Sequence, residues 1–300
     1  MTDDEAERAF VAIRFAETEG RPVCPWCGCT ESYAISTRKK WKCKACLKQF
    51  SATSRTIFAS RKLSYKKILF AIATFVNGAK GYAALHLSRD IRCTPKTAFV
   101  LEHKLREVME ALQTAHVLSG EVEIDGAYFG GHVRPTNRRS HRRDRRMLAN
   151  KSPKRRCVFV ARERRGRSRV FICSESDGAV LVPSIVQPET ILYADQAVDF
   201  NPLHAFFDIR RIDHSKCYAD GEISTNQAES YFARLRRSAR GIHHHLSPQY
   251  LHAYANEMAW REDNRRLSNG DQFLTIAAAG MRHPVSRQWK GYWQRRKGTR

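Results

Sequence analysis

Two Cys-x-x-Cys pairs, Cys24 with Cys27 in CPWC and Cys43 with Cys46 in CKAC, constrain this chain before any hydrophobic pattern does. Their spacing suits one tetrahedral ion held by four thiolates, and Zn2+ is the ion with that preference. A segment this small needs the metal to fold, so the zinc is expected to be structural. The residues between the knuckles, TESYAISTRKKWKC, read as a short β-hairpin carrying Arg38, Lys39, Lys40 and Lys42 beside Trp41. Cations next to an indole suit phosphate contact and base stacking, although a purely structural staple accounts for the same residues. Cys29 breaks the two-residue spacing, and Cys93, Cys157, Cys173 and Cys217 are scattered in the manner of small buried hydrophobes.

Charge narrows the partner class. The chain has 53 Lys plus Arg against 30 Asp plus Glu, a formal net charge of +23. Such an excess is naturally balanced by phosphates, with an affinity that falls steeply as salt rises. Basic ribosomal and chromatin proteins share that balance, so charge alone names nucleic acid and no activity. Three hundred residues with 42% hydrophobic content can bury a substantial core and are expected to form two or three domains. The longest apolar run, ILFAIATFV at 68–76, is too short to span a bilayer. The acidic start MTDDEAERAF lacks a signal-peptide pattern, so a cytoplasmic protein without a membrane partner is expected. Nine cysteines in that setting argue against a disulfide framework.

Three acids stand apart within this basic chain: Asp125 closing VEID, Asp195 closing ILYAD, and Glu229 inside STNQAESYFARLRR. The first two follow apolar or β-branched residues that place them at strand ends, where a side chain can leave a sheet and enter a cleft. Glu229 lies on a segment whose Ala228, Tyr231, Phe232 and Leu235 form an apolar stripe at helical spacing. Three converging carboxylates can hold Mg2+ or Mn2+, hard ions that favour oxygen and support in-line phosphoryl transfer. Glu123, Asp199, Asp213, Asp220 and Glu222 read instead as exposed or capping carboxylates.

The strings VEIDGAYFGG, ILYADQAVDF and STNQAESYFARLRRSARG, followed by HHHLSPQYLHAYANEMAWREDNRR, resemble the catalytic blocks of bacterial insertion-sequence transposases of the ISXO-like type. Those proteins join an N-terminal zinc ribbon to a DDE domain, and the resemblance spans roughly residues 20 to 265. It implies that Asp125, Asp195 and Glu229 form the triad on an RNase H-like sheet, with Asn226 and Arg236 in support. Arg236 stands where many relatives carry Lys. The implied activity is cleavage of element ends and joining of the 3′-hydroxyls to target DNA. The implied partners are double-stranded DNA, as element ends and target, and a homodimer or higher oligomer on that DNA. A metal-dependent nuclease or resolvase on the same fold, or a DNA-binding regulator without chemistry, are the alternatives.

The expected fold class is α/β: a zinc ribbon and a small helical domain before an RNase H-like catalytic domain. An acidic segment at 1–20 leads into the ribbon at 21–52, a helical domain at 60–117 and the catalytic domain at 120–266. In the helical domain Ser64 can cap a helix through Asn77, with Gly78 as its stop. A short helix over 81–89 precedes a third, capped by Thr94 with Pro95 at its first position and running through Met109. This order resembles a helix-turn-helix, which makes Lys96, Thr97, His103 and Lys104 candidates to face DNA; a spacer with a solvated basic face fits almost equally well. A basic insertion at 132–156 follows the first catalytic strand, and its Arg142, Arg143, Arg145 and Arg146 suit a DNA clamp. CVFVARE and SRVFICSES read as strands joined by RRGRS, and RRIDHS as a further short one. Ser247 and Pro248 are expected to open the closing helix, and 267–300 reads as a basic tail, ending in WKGYWQRRKGTR, that touches DNA or is disordered.

Overall fold

The computed structural model describes residues 1–114, 116–130, 138–141, 144, 147, 150, 152, 154–212 and 224–295. The chain divides into two compact units, one of residues 1–112 with 266–300 and one of residues 113–265. Among the described residues no helix is long and apolar enough to cross a membrane.

The first unit opens with helix α1 (Asp3–Arg14), where the sequence reads only as an acidic segment. Thr2 Oγ1 accepts from the Glu5 N–H at 3.2 Å while the Glu5 carboxylate accepts from the Thr2 N–H at 2.7 Å. That reciprocal cap satisfies two otherwise orphaned donors, and Asp3, Asp4 and Glu5 oppose the positive end of the helix dipole. The ribbon is a three-stranded antiparallel sheet of β1 (Ser32–Ile35), β2 (Lys40–Cys43) and β3 (Gln49–Phe50), in that order. Phe15, Cys24, Cys43 and Phe50 form its core.

Three helices follow. α2 (Tyr65–Asn77) is capped by Ser64, whose hydroxyl accepts from the Lys67 N–H, and stops at Gly78; α3 is Ala84–Asp90 and α4 is Pro95–Thr114. Helix α8 (Asn269–Arg282) then returns to pack on α1 and α2. Residues 267–295 are therefore no loose tail, because Ile276, Ala277, Met281, Trp289 and Tyr292 all bury apolar surface. Gly280 permits the close packing: a Cβ there would meet the Phe58 ring at 3.0 Å. The last described element is the short α9 (Tyr292–Arg295).

The second unit is built on a five-stranded sheet. Its strands are β4 (Glu121–Phe129), β5 (Arg156–Glu163), β6 (Ser168–Ile172), β7 (Ile191–Asp195) and β8 (Asp208–Ile212). Their spatial order is β6-β5-β4-β7-β8, with β4, β5 and β6 antiparallel and β4, β7 and β8 parallel. Helix α5 (Glu175–Ile185) makes the crossover from β6 to β7. The sequence conceals it: SRVFICSES reads as continuous strand, yet Ser174 caps a helix by accepting from the Asp177 N–H at 3.1 Å. β8 likewise begins two residues before the expected RRIDHS segment.

Strand alternation gives the sheet two buried faces. Val122, Ile124, Phe159, Leu192 and Ala194 pack with Ala179 and Val182 of α5 on one face. On the other, Ala127, Phe129, Val158 and Val160 pack under α6 (Asn226–Gly241) and α7 (Leu251–Asp263). Fully burying each such aliphatic or aromatic side chain contributes roughly 1.5–3 kcal/mol before entropy is counted. α7 starts at Leu251, later than Ser247 and Pro248 suggest, because residues 248–250 form a separate turn.

Candidate active site

Asp125 and Asp195 are brought together by strand register. The parallel β4–β7 pair matches Glu121 with Ile191, Val122 with Leu192 and Glu123 with Tyr193. The ladder ends there, two residues short of Asp125 on β4 and Asp195 on β7, and the Asp195 charge reaches the Asp125 carboxyl. Because Val122, Ile124, Leu192 and Ala194 face α5, the alternate residues Glu123, Asp125, Tyr193 and Asp195 face the opposite side, toward α6. β7 ends at Asp195 while β4 continues to Phe129 against β5. A cleft beyond the carboxyl ends of parallel strands, where connections leave in opposite directions, is the usual binding position in open α/β sheets.

Backbone groups orient both acids. Asp125 Oδ1 accepts from the Gly126 N–H at 2.7 Å and Asp195 Oδ1 from the Ala197 N–H at 3.0 Å. Arg211 donates from Nε to the Asp195 carbonyl at 2.8 Å, tying down the end of β7. Burial pushes the Asp125 carboxyl up to about 7, against the lowering effect of the Gly126 hydrogen bond, and the charges of Asp195, Glu175 and Glu229 add to the rise. Glu229 occupies the first turn of α6, whose Ala228, Tyr231, Phe232 and Leu235 are buried against the sheet. Asn226, the first residue of α6, lines a groove of about 810 Å³ with residues 119–121, 163–166 and Ser224, beside the opening residues of β4. The Arg236 guanidinium lies 5.6 Å from the Phe129 ring centroid and 5.8 Å from that of Phe232.

In the first unit the four thiols of the two knuckles converge, with all four sulfurs within 4.8 Å of one another. Cys24 and Cys46 sulfurs are 3.5 Å apart, as are those of Cys27 and Cys43. Four sulfurs about 2.3 Å from a tetrahedral Zn2+ stand some 3.8 Å from each other, so the donor set fits that ion in chemistry and size. The Cys46 N–H directed at its sulfur is the largest influence holding the Cys43 thiol down to about 6, which favours the thiolate a metal requires.

Comparison with known families matches two stretches of the chain. The description "Transposase zinc-ribbon domain" matches residues 1–49, and "ISXO2-like transposase domain" matches residues 117–263. The chain belongs to the ISXO2-like transposase family. None of the curated proteins matches it. The zinc-ribbon match includes α1, in keeping with its capped helical structure. The transposase-domain match contains every strand of the five-stranded sheet together with α5, α6 and α7.

The transposase domain also holds an acid that sequence reasoning misses. Glu175, at the start of α5, lies across Gly126: a Cβ on that glycine would collide with the Glu175 side chain. Burial raises the Glu175 carboxyl, and Asp195 and Asp199 raise it further. A Ser174 cap followed by Glu175 and Asp177 is the one local signal of a helix start that could have drawn attention to it.

Several residues assigned above to DNA contact are otherwise employed. Trp41 is half-buried against the ribbon core, 6.0 Å from Phe15 and 5.6 Å from Phe50 between ring centroids, so part of its surface is taken up by packing. The Lys39 ammonium pairs with Asp4 at 2.9 Å and Glu7 at 2.6 Å on α1, which neutralises it locally. Lys40 stays exposed. His103 is fully buried and stacked on Trp289 at 4.2 Å. Lys104 turns inward to donate to the Ile57 carbonyl at 2.8 Å, and burial lowers its pKa. Lys96 lies over the Trp293 ring at 5.4 Å. His103 is covered by Trp289, which lies between α8 and α9, and Lys104 is drawn to the Ile57 carbonyl in the segment before α2. Arg142, Arg143, Arg145 and Arg146, like Asp213, Cys217, Asp220 and Glu222, lie outside the described residues.

Proposed function

We propose that the chain is a DNA transposase that cleaves insertion-sequence ends and joins the freed 3′-hydroxyls to target DNA, with Asp125, Asp195 and Glu229 as its cation-holding acids. The observation that supports this reading most is the parallel pairing of β4 with β7, from Glu121–Ile191 to Glu123–Tyr193, which runs toward Asp125 and Asp195 on the sheet face that α6 covers. The antiparallel meander with two parallel strands added beside its first strand supports an RNase H-like fold.

The donor set is all carboxylate oxygen, and a divalent cation would offset the burial that chiefly raises Asp125 and the neighbouring negative charges that add to it, so the residues fit Mg2+ or Mn2+. When bound, such ions lower the charge on a phosphodiester and on the oxygens entering and leaving it. The protein's own part is geometric. β4 and β7 hold two acids at fixed separation, Arg211 fixes the strand end, and the sheet and α6 exclude water from one side of the cleft. Hydrolysis at an element end leaves a 3′-hydroxyl and a 5′-phosphate. That hydroxyl then displaces a 3′-oxygen of the target strand, exchanging one phosphodiester for another. The net charge of +23 draws both DNA segments in, and a homodimer or higher oligomer is the assembly that holds two ends together. Zinc at the four thiols keeps the ribbon folded.

The test is an end-containing donor with a plasmid target and Mg2+. Joined product is expected; cleavage that goes no further indicates a nuclease or resolvase, and binding alone a regulator. Asp125→Asn, Asp195→Asn and Glu229→Gln are each expected to abolish cleavage and joining while end binding persists, with Asp199→Asn active as the control. A triad variant that cleaves at near wild-type rate removes that residue from the assignment.

A further inference from the structure

Glu123 precedes Asp125 by two residues on β4 and shares its face of the sheet. It is 1% exposed, and its carboxylate spans the start of α6: Oε2 accepts from the Gln227 N–H at 2.8 Å and the Ala228 N–H at 3.0 Å. Arg164 donates to its other oxygen at 3.1 Å. The first N–H groups of a helix have no partner within it, and the N-cap residue Thr225 makes no side-chain capping bond, so the adjacent strand supplies the acceptor.

Arg162 is the direct cross-strand partner of Glu123 on β5 and is 4% exposed. One guanidinium nitrogen donates to the Gln227 carbonyl at 3.0 Å and the other to Glu262 of α7 at 2.9 Å. Glu262 also pairs with Arg234 on α6. Gln227 is thus gripped at both ends of its peptide unit by neighbours in register on the sheet.

We propose that Glu123 and Arg162 form a positioning clasp that fixes Glu229 over Asp125 and Asp195, an inference that rests on the triad reading above. An apolar pair at these positions holds a helix to a sheet without setting its height or rotation. Directional bonds to one peptide unit set both, and specifying register is the best attested use of a costly buried ionic group. Gln227 is two residues from Glu229 and Glu123 two from Asp125, so a slip at the clasp passes directly to the acids. A displacement of about 1 Å at a reacting centre can cost on the order of 100-fold in rate.

The experiment measures strand transfer by the full chain with a preprocessed end, at saturating DNA and across a Mg2+ titration, for Glu123→Ala, Glu123→Gln and Arg162→Lys. Glu123→Ala should lower the maximal rate by about 30-fold and raise the Mg2+ needed for half-maximal rate several-fold, with end affinity unchanged. Amide exchange should accelerate at residues 227–230. Glu123→Gln, whose amide oxygen can still accept from both N–H groups, should recover most of the rate and remain about threefold below wild type. Arg162→Lys should fall between the two. Wild-type maximal rate and Mg2+ requirement in Glu123→Ala overturn the clasp; if that variant does not fold, the same result in both Glu123→Gln and Arg162→Lys does so. Glu229→Gln in the same assay separates the two ideas. If it is inactive while the clasp variants are unchanged, only the clasp fails, and if it is active the triad reading fails first.

Discussion

Gly126 leaves bare backbone where Glu175 lies, the carboxylate side chain of α5 crossing the strand where any larger residue would project. The absent methyl next to Asp125 therefore brings a further acid to the neighbourhood of the triad. Gly126→Ala should displace the flexible Glu175 side chain and destabilise the protein by at most about 1 kcal/mol, even though alanine suits a strand better than glycine. The double variant Gly126→Ala/Glu175→Ala should regain most of that loss. Thermal unfolding of the four proteins in the cycle checks it, and purely additive effects would falsify the contact.

The raised Asp125 carboxyl predicts a pH dependence with a definite sign. Its folded value, about 7, lies above the ordinary carboxylate range. In the metal-free protein this group's contribution to stability is full below about pH 4 and is lost as pH rises toward 7. A cation needs the ionised form, so apparent Mg2+ or Mn2+ affinity should fall up to about tenfold per pH unit below 7 and level off above it. Calorimetric titration between about pH 6 and pH 8 reads this directly. A flat profile means that no proton is displaced from Asp125 when the ion binds.

Zinc and the catalytic cation should be separable, because thiolates and carboxylates prefer ions of different softness. Cys43→Ser should lose stoichiometric zinc, unfold the ribbon and weaken end binding, while the five-stranded unit retains its circular dichroism. Metal analysis of the purified variant is decisive: a full equivalent of zinc is incompatible with four-thiolate ligation.

The run of arginines after β4 should act on DNA without reading its sequence. Replacing Arg142, Arg143, Arg145 and Arg146 together by Gln is expected to weaken binding to all duplexes alike. If all four contact phosphate, the slope of log affinity against log salt should shrink by about 3–4. An unchanged slope in a filter-binding series places these side chains away from the duplex.

The sequence by itself determined the elements that depend on local chemistry. Four thiols at fixed spacing specified the zinc knuckles, and the three acid-bearing strings carried the family resemblance. Ser64 with Gly78 marked the ends of α2 because capping is decided within one turn. Only the tertiary structure decided which side chains share a face and a neighbour. Glu123 read as an ordinary capping carboxylate, and its importance comes from the helix start that β4 happens to carry beneath it. Trp41, His103 and Lys104 looked available to DNA until Phe15 and Phe50, Trp289 and the Ile57 carbonyl respectively were brought against them by the tertiary structure. Residues 267–295 read as a tail because α8 buries its apolar stripe against α1 and α2, helices distant in sequence. Asp125 and Asp195 could be chosen from their strand ends, but their side-by-side placement depends on which strand pairs with β4 and in what register. That choice is made by burial of Val122, Ile124, Leu192 and Ala194 together under α5, a long-range packing outcome that no local pattern encodes.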